Sequence, residues 1–172
     1  MPDGLNHTPK LNSPLAVYQS QLGSKLVEDP SQLQAIMALD TLFWKLSRQN
    51  TISSEPIKGL YLWGDVGRGK TFLMDLFYDC LPQKGKLRLH FHRFMARIHH
   101  ALKEQSGQQD PLVIVAKDLA KECRILCFDE FFVSDIGDAM ILAGLFACLF
   151  EQGVVLVATS NIPIERLYEN GL

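Results

Sequence analysis

The sequence predicts an α/β fold, a three-layer α/β/α arrangement in which helices cover both faces of a mostly parallel sheet. Short, continuously apolar runs recur along the chain, as expected for strands buried on both faces. Segments with helical spacing of apolar residues separate these runs, and such alternation is typical of parallel strands joined by crossover helices. The predicted strands lie at 59–63, 87–91, 124–129 and 153–158.

The chain divides into three parts. Residues 1–12 are polar and contain Pro and Gly, which predicts a flexible N-terminal lead. Residues 13–58 form an N-terminal helical segment, in which Ser13 and Asp29, each followed by proline, are expected to cap two helices. Residues 59–172 form the α/β core.

Three further helices are expected in the core, at 93–105, from 111 to about 121, and after Ser134-Asp135. In the last of these, helical spacing suggests a buried face composed of Ile136, Met140, Leu145 and Phe146.

Composition limits the function classes. The 172 residues carry a net charge of −2, with 47% hydrophobic and 21% charged residues, which is the balance of one globular domain. This overall charge does not favour nucleic acid or an anionic membrane as partner. The longest near-apolar stretch, 139–150, spans about twelve residues, too few to cross a bilayer. With no signal-peptide pattern at the N-terminus, we expect a cytoplasmic protein with free thiols at Cys80, Cys123, Cys127 and Cys148.

One motif carries most of the chemical information. Residues 64–71 have the form G-x-x-x-x-G-K-T, preceded by the first apolar strand and followed by a helix. In this context, successive backbone N–H groups and the helix N-terminus surround phosphate. The predicted phosphate-binding residues are Gly64, Asp65, Val66, Gly67, Arg68, Gly69, Lys70 and Thr71. Lys70 is expected to reach the β- and γ-phosphates, and the Thr71 hydroxyl to ligate Mg²⁺.

Polar residues at the ends of two later strands complete the predicted site. Asp129 and Glu130 follow the apolar run 125–128, so both acids are expected at the edge of the sheet where ligands collect. Asp129 would hold Mg²⁺, directly or through water, opposite Thr71. Glu130 suits a hydrolase in which it orients or deprotonates the attacking water. Asn161, at the end of the fourth strand, is placed to contact the γ-phosphate or the water.

These three motifs resemble the AAA+ superfamily of P-loop ATPases. The strings at 59–64, 89–95, 127–136 and 158–163 (GLYLWG, LHFHRFM, CFDEFFVSDI and ATSNIP) resemble the AFG-like ATPases more specifically, over about residues 13–172. The resemblance implies a P-loop NTPase fold of the AAA+ type, with ATP and Mg²⁺ as cofactors. It also implies catalytic roles for Lys70, Glu130 and Asn161, and metal binding by Thr71 and Asp129. The absence of an Asn-Lys-x-Asp string agrees with ATP rather than GTP.

The resemblance also carries expectations about partners. For the complete protein it implies a homo-oligomeric ring that acts on the tubulin-like division-ring protein and destabilises its polymers. An AAA+ module would continue past Leu172 with a last strand beside the first, an arginine finger and a helical lid. We therefore expect residues 59–172 to be a partial core that hydrolyses ATP poorly, because an arginine finger contributes about 10³–10⁵ in rate. Its first strand is expected to lie at an open edge.

Two alternatives remain open. A locally basic stretch with interleaved Phe91 and Phe94 would suit a DNA-associated ATPase such as a helicase loader; its basic residues are Arg88, His90, His92, Arg93, Arg97, His99 and His100. The purely structural interpretation is a strand, with His90 and His92 on one face, followed by a helix whose basic face is exposed to solvent. A non-catalytic nucleotide-binding fragment is the second alternative. In many AAA+ rings the segment after this strand grips polypeptide in the pore, which would assign that role to Phe94 and Met95.

Overall fold

The computed structural model describes residues 12–48, 56–64 and 69–163. Within these ranges the helices are α1 (Pro14–Gln21), α2 (Pro30–Arg48), α3 (Lys70–Cys80), α4 (Phe91–Glu104), α5 (Pro111–Glu122) and α6 (Ile136–Glu151). The strands are β1 (Leu60–Trp63), β2 (Lys86–His90), β3 (Ile125–Asp129) and β4 (Val155–Ser160). The predicted alternation of strands and helices in the core is confirmed.

The four strands form one parallel sheet in the order β1-β4-β3-β2. Side chains of β3 alternate between its faces, as the geometry of a strand requires. Ile125 and Cys127 pack with α1, α2 and α3, whereas Leu126 and Phe128 pack with α4, α5 and α6. The two cores therefore lie on opposite faces of the sheet, and the predicted three-layer α/β/α fold is confirmed.

The two N-terminal helices begin as their caps predict. The Ser13 hydroxyl accepts a hydrogen bond from the N–H of Ala16 at 3.3 Å. One carboxylate oxygen of Asp29 accepts from the N–H of Ser31 at 2.9 Å, which supplies a partner for a backbone group at the start of α2. The helices pack with α3 and hold the N-terminal segment against the sheet.

The boundary between β2 and α4 differs from the prediction. β2 ends at His90, and α4 begins at once with Phe91. His92 therefore belongs to the first turn of α4 rather than to a strand face shared with His90. The Phe91 ring, 4.5 Å from that of Phe131 and 5.6 Å from that of Phe128, is buried, and this packing fixes where the helix starts.

The buried face of α6 was also predicted incorrectly in part. Ile136 and Met140 are 53% and 72% exposed, whereas Leu142, Leu145 and Leu149 are buried. Leu145 was assigned correctly, and Phe146 is half-buried against the same core. The helix packs on α5 and the sheet through a stripe rotated from the one predicted.

The first strand lies at an edge of the sheet formed by the described residues. It meets β4 very closely at Gly59, because a Cβ atom there would stand 1.8 Å from the carbonyl oxygen of Leu156. Any side chain at position 59 would therefore push β1 away from β4. Among the helices of the described ranges, none combines the length and hydropathy needed to cross a membrane. All four cysteines are free thiols, as predicted.

Candidate nucleotide-binding site

The start of α3 provides the first part of the site. Gly69 precedes the helix with φ +74°, a left-handed conformation that favours glycine. A Cβ atom at this position would lie 2.4 Å from Nε2 of Gln32, so the end of that side chain would have to move. The ammonium group of Lys70 donates to the carbonyl of Gly64 at 2.5 Å and thus reaches from the end of the motif to its beginning. The predicted binding residues Asp65, Val66, Gly67 and Arg68 lie outside the described residues.

The end of β3 carries the predicted acidic pair in two different environments. Asp129 is buried, being only 7% exposed, whereas the side chain of Glu130 is 75% exposed. Glu130 has φ +57°, an uncommon conformation for a residue with a side chain. The backbone N–H of Phe131 donates to the carbonyl of Thr159 at 2.8 Å, so the turn is held against β4. Local strain of this kind, of about 1–3 kcal/mol, is found where surrounding structure fixes a functional residue.

The end of β4 is connected to this turn by hydrogen bonds. The Ser160 hydroxyl donates to the carbonyl of Phe131 at 2.7 Å and accepts from the N–H of Ile162 at 3.1 Å. The Tyr61 hydroxyl, on β1, donates to the carbonyl of Ile162 at 2.6 Å. Asn161 is exposed between these anchored residues. The backbone that carries Glu130 and Asn161 is therefore held by groups from β1 and β4.

These three element ends meet at one cavity of about 620 Å³. Its lining consists of Gly69, Lys70, Thr71, Phe72, Asp75, Glu130, Thr159, Ser160 and Asn161. A neighbouring cavity of about 370 Å³ is lined by Thr71, Arg88, Leu89, His90, Arg93 and Asp129. Thr71 lines both cavities. The described residues of the predicted site therefore lie together at the edge of the sheet where the parallel strands end.

The chemistry of these groups fits a magnesium nucleotide. A helix N-terminus and the Lys70 ammonium attract phosphate. The Thr71 hydroxyl and the Asp129 carboxylate are oxygen ligands of the kind that Mg²⁺ prefers. Mg²⁺ usually takes its remaining ligands from water and substrate phosphates, so two protein oxygens suffice.

A second cleft of about 570 Å³ lies between α2 and β1 and adjoins the phosphate side through Gly64 and Lys70. Its polar lining includes the amides of Gln32 and Gln34, and the ring of Trp63 is 56% exposed at the end of β1. Amides and an aromatic ring beside a phosphate site suit a nucleoside.

Arg88 on β2 contacts the acidic end of β3 in a way that the sequence did not indicate. Its Nε donates to one carboxylate oxygen of Asp129 at 2.7 Å, and its Nη2 donates to the other at 3.0 Å. Its Nη1 donates to Asp75 on α3. Burial alone would lower the pKa of Arg88, but the hydrogen bonds to both carboxylates outweigh it and raise the pKa, so the guanidinium stays charged.

Most of the predicted basic stretch is paired with carboxylates. Arg97 binds Glu122 through two nitrogens, His99 lies 2.7 Å from Asp138, and His100 lies 3.1 Å from Glu104. Nδ1 of His90 lies 3.9 Å from a carboxylate oxygen of Glu130, and the His90 and His92 rings stack at 5.8 Å. Among the described residues, no three His, Cys, Asp or Glu side chains are grouped as metal ligands.

The predicted gripping residues, Phe94 and Met95, and the two phenylalanines after the acidic pair differ in their exposure to solvent. Phe94 and Met95, predicted as pore-facing grips, are 0% and 6% exposed and belong to the core under α4. That assignment is wrong for the present structure, because a buried side chain is not available to grip a polypeptide. Phe131 is buried below the site, whereas Phe132 is 55% exposed.

The protein-family comparison agrees with the site. Residues 13–172 match the family model described as AFG1-like ATPase. The chain belongs to the AFG1-like ATPase family.

Two relatives show how much of an AFG1-like ATPase this chain represents. It is 51% identical over 156 residues to the cell division protein ZapE of Escherichia coli K12, covering 91% of this chain and 40% of that protein. It is 46% identical over 136 residues to lactation elevated protein 1 homolog B of Danio rerio, covering 73% of this chain and 27% of that protein. The chain therefore spans well under half the length of both relatives.

Solved structures show the same fold. The crystal structure of DnaI aligns with a TM-score of 0.60 at 19% identity, over 84% of this chain and 73% of DnaI. AMPPCP-bound DnaA from Aquifex aeolicus aligns with a TM-score of 0.62 at 14% identity, over 86% of this chain and 42% of DnaA. These similarities place the AFG1-like ATPase in the P-loop AAA+ fold.

Three residues of the site were not assigned a role from the sequence: Arg88, Ser160 and Tyr61. Arg88 had been grouped with the basic stretch, although a part-buried arginine between Leu87 and Leu89 in a strand calls for a carboxylate partner. With β2 and β3 adjacent in a parallel sheet, Asp129 is the acid at the matching end. Ser160 and Tyr61 carry no comparable signal, because hydroxyl groups are common at strand ends.

Proposed function

We propose that this chain is the nucleotide-binding core of an ATPase that binds ATP with Mg²⁺ and hydrolyses it to ADP and phosphate. The observation that carries the proposal is the meeting of three element ends at one cavity. The start of α3 contributes Lys70 and Thr71, the end of β3 contributes Glu130, and the end of β4 contributes Asn161. Membership of the AFG1-like ATPase family supports the same reaction.

Each side chain has one role in this proposal. Lys70 and the N–H groups at the start of α3 bind phosphate, while the cleft lined by Gln32 and Gln34 receives the nucleoside. Thr71 and Asp129 hold Mg²⁺, which neutralises phosphate charge when bound. Glu130 is exposed to the cavity and accepts a proton from, or orients, the attacking water. Asn161 donates from its amide near the same point.

For the whole protein, we propose a role in cytoplasmic cell division. The name of the Escherichia coli relative, cell division protein ZapE, supports this role. The family resemblance further supports a homo-oligomeric ring that destabilises polymers of the tubulin-like division-ring protein. Pairing of Arg97 with Glu122 does not favour nucleic acid as the partner, because a paired cation attracts phosphates weakly.

The test measures nucleotide binding, turnover and oligomer size side by side on this chain and on a version extended to the length of the relatives. Glu130→Gln should keep nucleotide binding and lower turnover by about 10²–10⁴, the range of a lost general base. Lys70→Ala should lower binding itself. The controls are Glu104→Gln and Lys117→Ala, which make the same changes on α4 and α5.

We expect turnover to be weak in the 172-residue chain and clear in the extended version. Equal turnover in Glu130→Gln and Glu104→Gln would contradict the hydrolase. Binding without turnover in either length would instead favour a non-catalytic nucleotide-binding protein. Salt-sensitive binding to single-stranded DNA would favour a DNA-associated ATPase.

A further inference from the structure

The guanidinium of Arg88 contacts carboxylates on two elements of the site, β3 and α3. It contacts both carboxylate oxygens of Asp129 on β3 and, through its remaining terminal nitrogen, Asp75 on α3. Asp75 lies one helical turn after Thr71, so it shares that face of α3. Arg88 therefore connects the strand that carries Asp129 to the turn of the helix that carries Thr71.

The connection is largely buried at the Asp129 end and open to solvent at the Asp75 end. The side chains of Arg88 and Asp129 are 17% and 10% exposed, whereas that of Asp75 is 51% exposed. Two parallel hydrogen bonds from a planar guanidinium fix the plane of a carboxylate, which a single bond from lysine does not. The orientation of Asp129 is thus determined by Arg88 and not only by its own rotamer.

The cavity shared by these groups makes the connection relevant to a metal. Thr71, Arg88 and Asp129 line the same cavity of about 370 Å³. Carboxylates that ligate metals are typically held by hydrogen bonds from a neighbouring group, and loss of that group costs about 10–100-fold in metal affinity. We propose that Arg88 is a positioning residue for Mg²⁺, which fixes the Asp129 carboxylate and ties it to the turn of α3 that carries Thr71.

This inference rests on the proposed ATPase function, and its test measures binding rather than turnover. A non-hydrolysable ATP analogue is titrated into the 172-residue chain by calorimetry, first without Mg²⁺ and then at rising Mg²⁺ concentrations. Arg88→Lys keeps the positive charge and loses the pair of parallel hydrogen bonds to Asp129. Asp75→Asn leaves the bonds to Asp129 in place and weakens the contact with α3 by removing the negative charge of an exposed side chain, so it tests this contact even if Arg88→Lys does not fold.

Each variant has a matched control. Arg97→Lys is the control for Arg88→Lys. Arg97 also donates two hydrogen bonds to one carboxylate, that of Glu122, but Arg97 lines neither cavity. Asp79→Asn removes the same charge from α3 one turn further along. Melting temperatures of all four variants separate a loss of fold from a loss of metal affinity.

The half-saturating Mg²⁺ concentration should rise about tenfold or more in Arg88→Lys. It should rise about two- to fivefold in Asp75→Asn relative to Asp79→Asn, as expected for a half-exposed ion pair. Because Asp75 and Arg88 line the two cavities, each shift is measured relative to the same variant's affinity without Mg²⁺. An unchanged Mg²⁺ requirement in both variants would overturn the inference alone. A lower requirement would also overturn it, since Arg88 would then compete with the metal. No Mg²⁺-dependent binding in the wild-type chain would overturn the proposed function and this inference together.

Discussion

A Cβ atom at residue 69 would stand 2.4 Å from Nε2 of the Gln32 side chain on α2. The positive φ of +74° favours glycine at this position, and a side chain there would also displace the Gln32 amide. The relationship links the N-terminal helical segment to the phosphate-binding end of α3. Helix α2 therefore contributes to the shape of the site through Gln32.

Gly69→Ala should destabilise the chain by about 1–2 kcal/mol, the cost of placing a Cβ atom in the left-handed region. It should also lower affinity for a non-hydrolysable ATP analogue, because the displaced Gln32 or helix start no longer shapes the cradle. Chemical denaturation and calorimetry measure the two effects. Gly107→Ala is the control, since Gly107 has φ +87° and nothing within 4 Å. Full affinity in Gly69→Ala would contradict the importance of this contact.

Glu130 gives a second prediction from backbone conformation. Because Glu130 has φ +57°, Glu130→Gly should relieve strain and raise the free energy of unfolding by about 1 kcal/mol while turnover falls. Asp110→Gly is matched, since Asp110 has φ +51° before α5 and lines neither cavity. Both glycine variants should gain stability, and only Glu130→Gly should lose activity. A destabilised Glu130→Gly would show that interactions of the glutamate outweigh the strain.

The sequence was most informative where local chemistry is specific. Caps at Ser13 and Asp29, the apolar strands and the polar residues after β3 and β4 each have a local physical cause, and the structure places them as expected. Parallel topology then brings Thr71, Glu130 and Asn161 to one edge without further information. The catalytic and metal-binding roles of these residues remain predictions.

The errors arose where the sequence offers no contrast. α6 is apolar on nearly all sides, so no polar face reveals which stripe is buried, and packing on α5 excluded Ile136 and Met140. The β2–α4 boundary has no loop, and the side chain of His90 does not cap the helix. Only the tertiary contacts of Phe91 reveal that the helix has begun.

The correction at Phe94 can be tested directly. Phe94 is fully buried with its ring 4.5 Å from that of Phe128, so Phe94→Ala should destabilise the chain by about 3–5 kcal/mol. Phe132→Ala makes the same change at a ring that is 55% exposed and should cost under about 1 kcal/mol. Urea denaturation measures both. Similar small effects would mean that Phe94 is available at the surface, as the pore prediction required.

The buried thiols predict a loss of stability at alkaline pH. Burial raises the pKa of Cys127 to about 12 and that of Cys123 to about 11, from an ordinary value of 9.0. The native state therefore holds these protons more tightly than the unfolded state. Their contribution to stability is complete below pH 9 and is lost as pH rises toward 11 and 12. The free energy of unfolding should fall between pH 8 and pH 10.5.

Cys127→Val removes one of these thiols at similar volume, so its free energy of unfolding should fall less over the same pH interval. Iodoacetamide labelling gives an independent measurement, because only the thiolate reacts. At pH 8, Cys127, which is 0% exposed, should be labelled in urea and not in the native chain. Rapid labelling of native Cys127, or an identical pH dependence in Cys127→Val, would contradict the assignment of alkaline instability to this thiol.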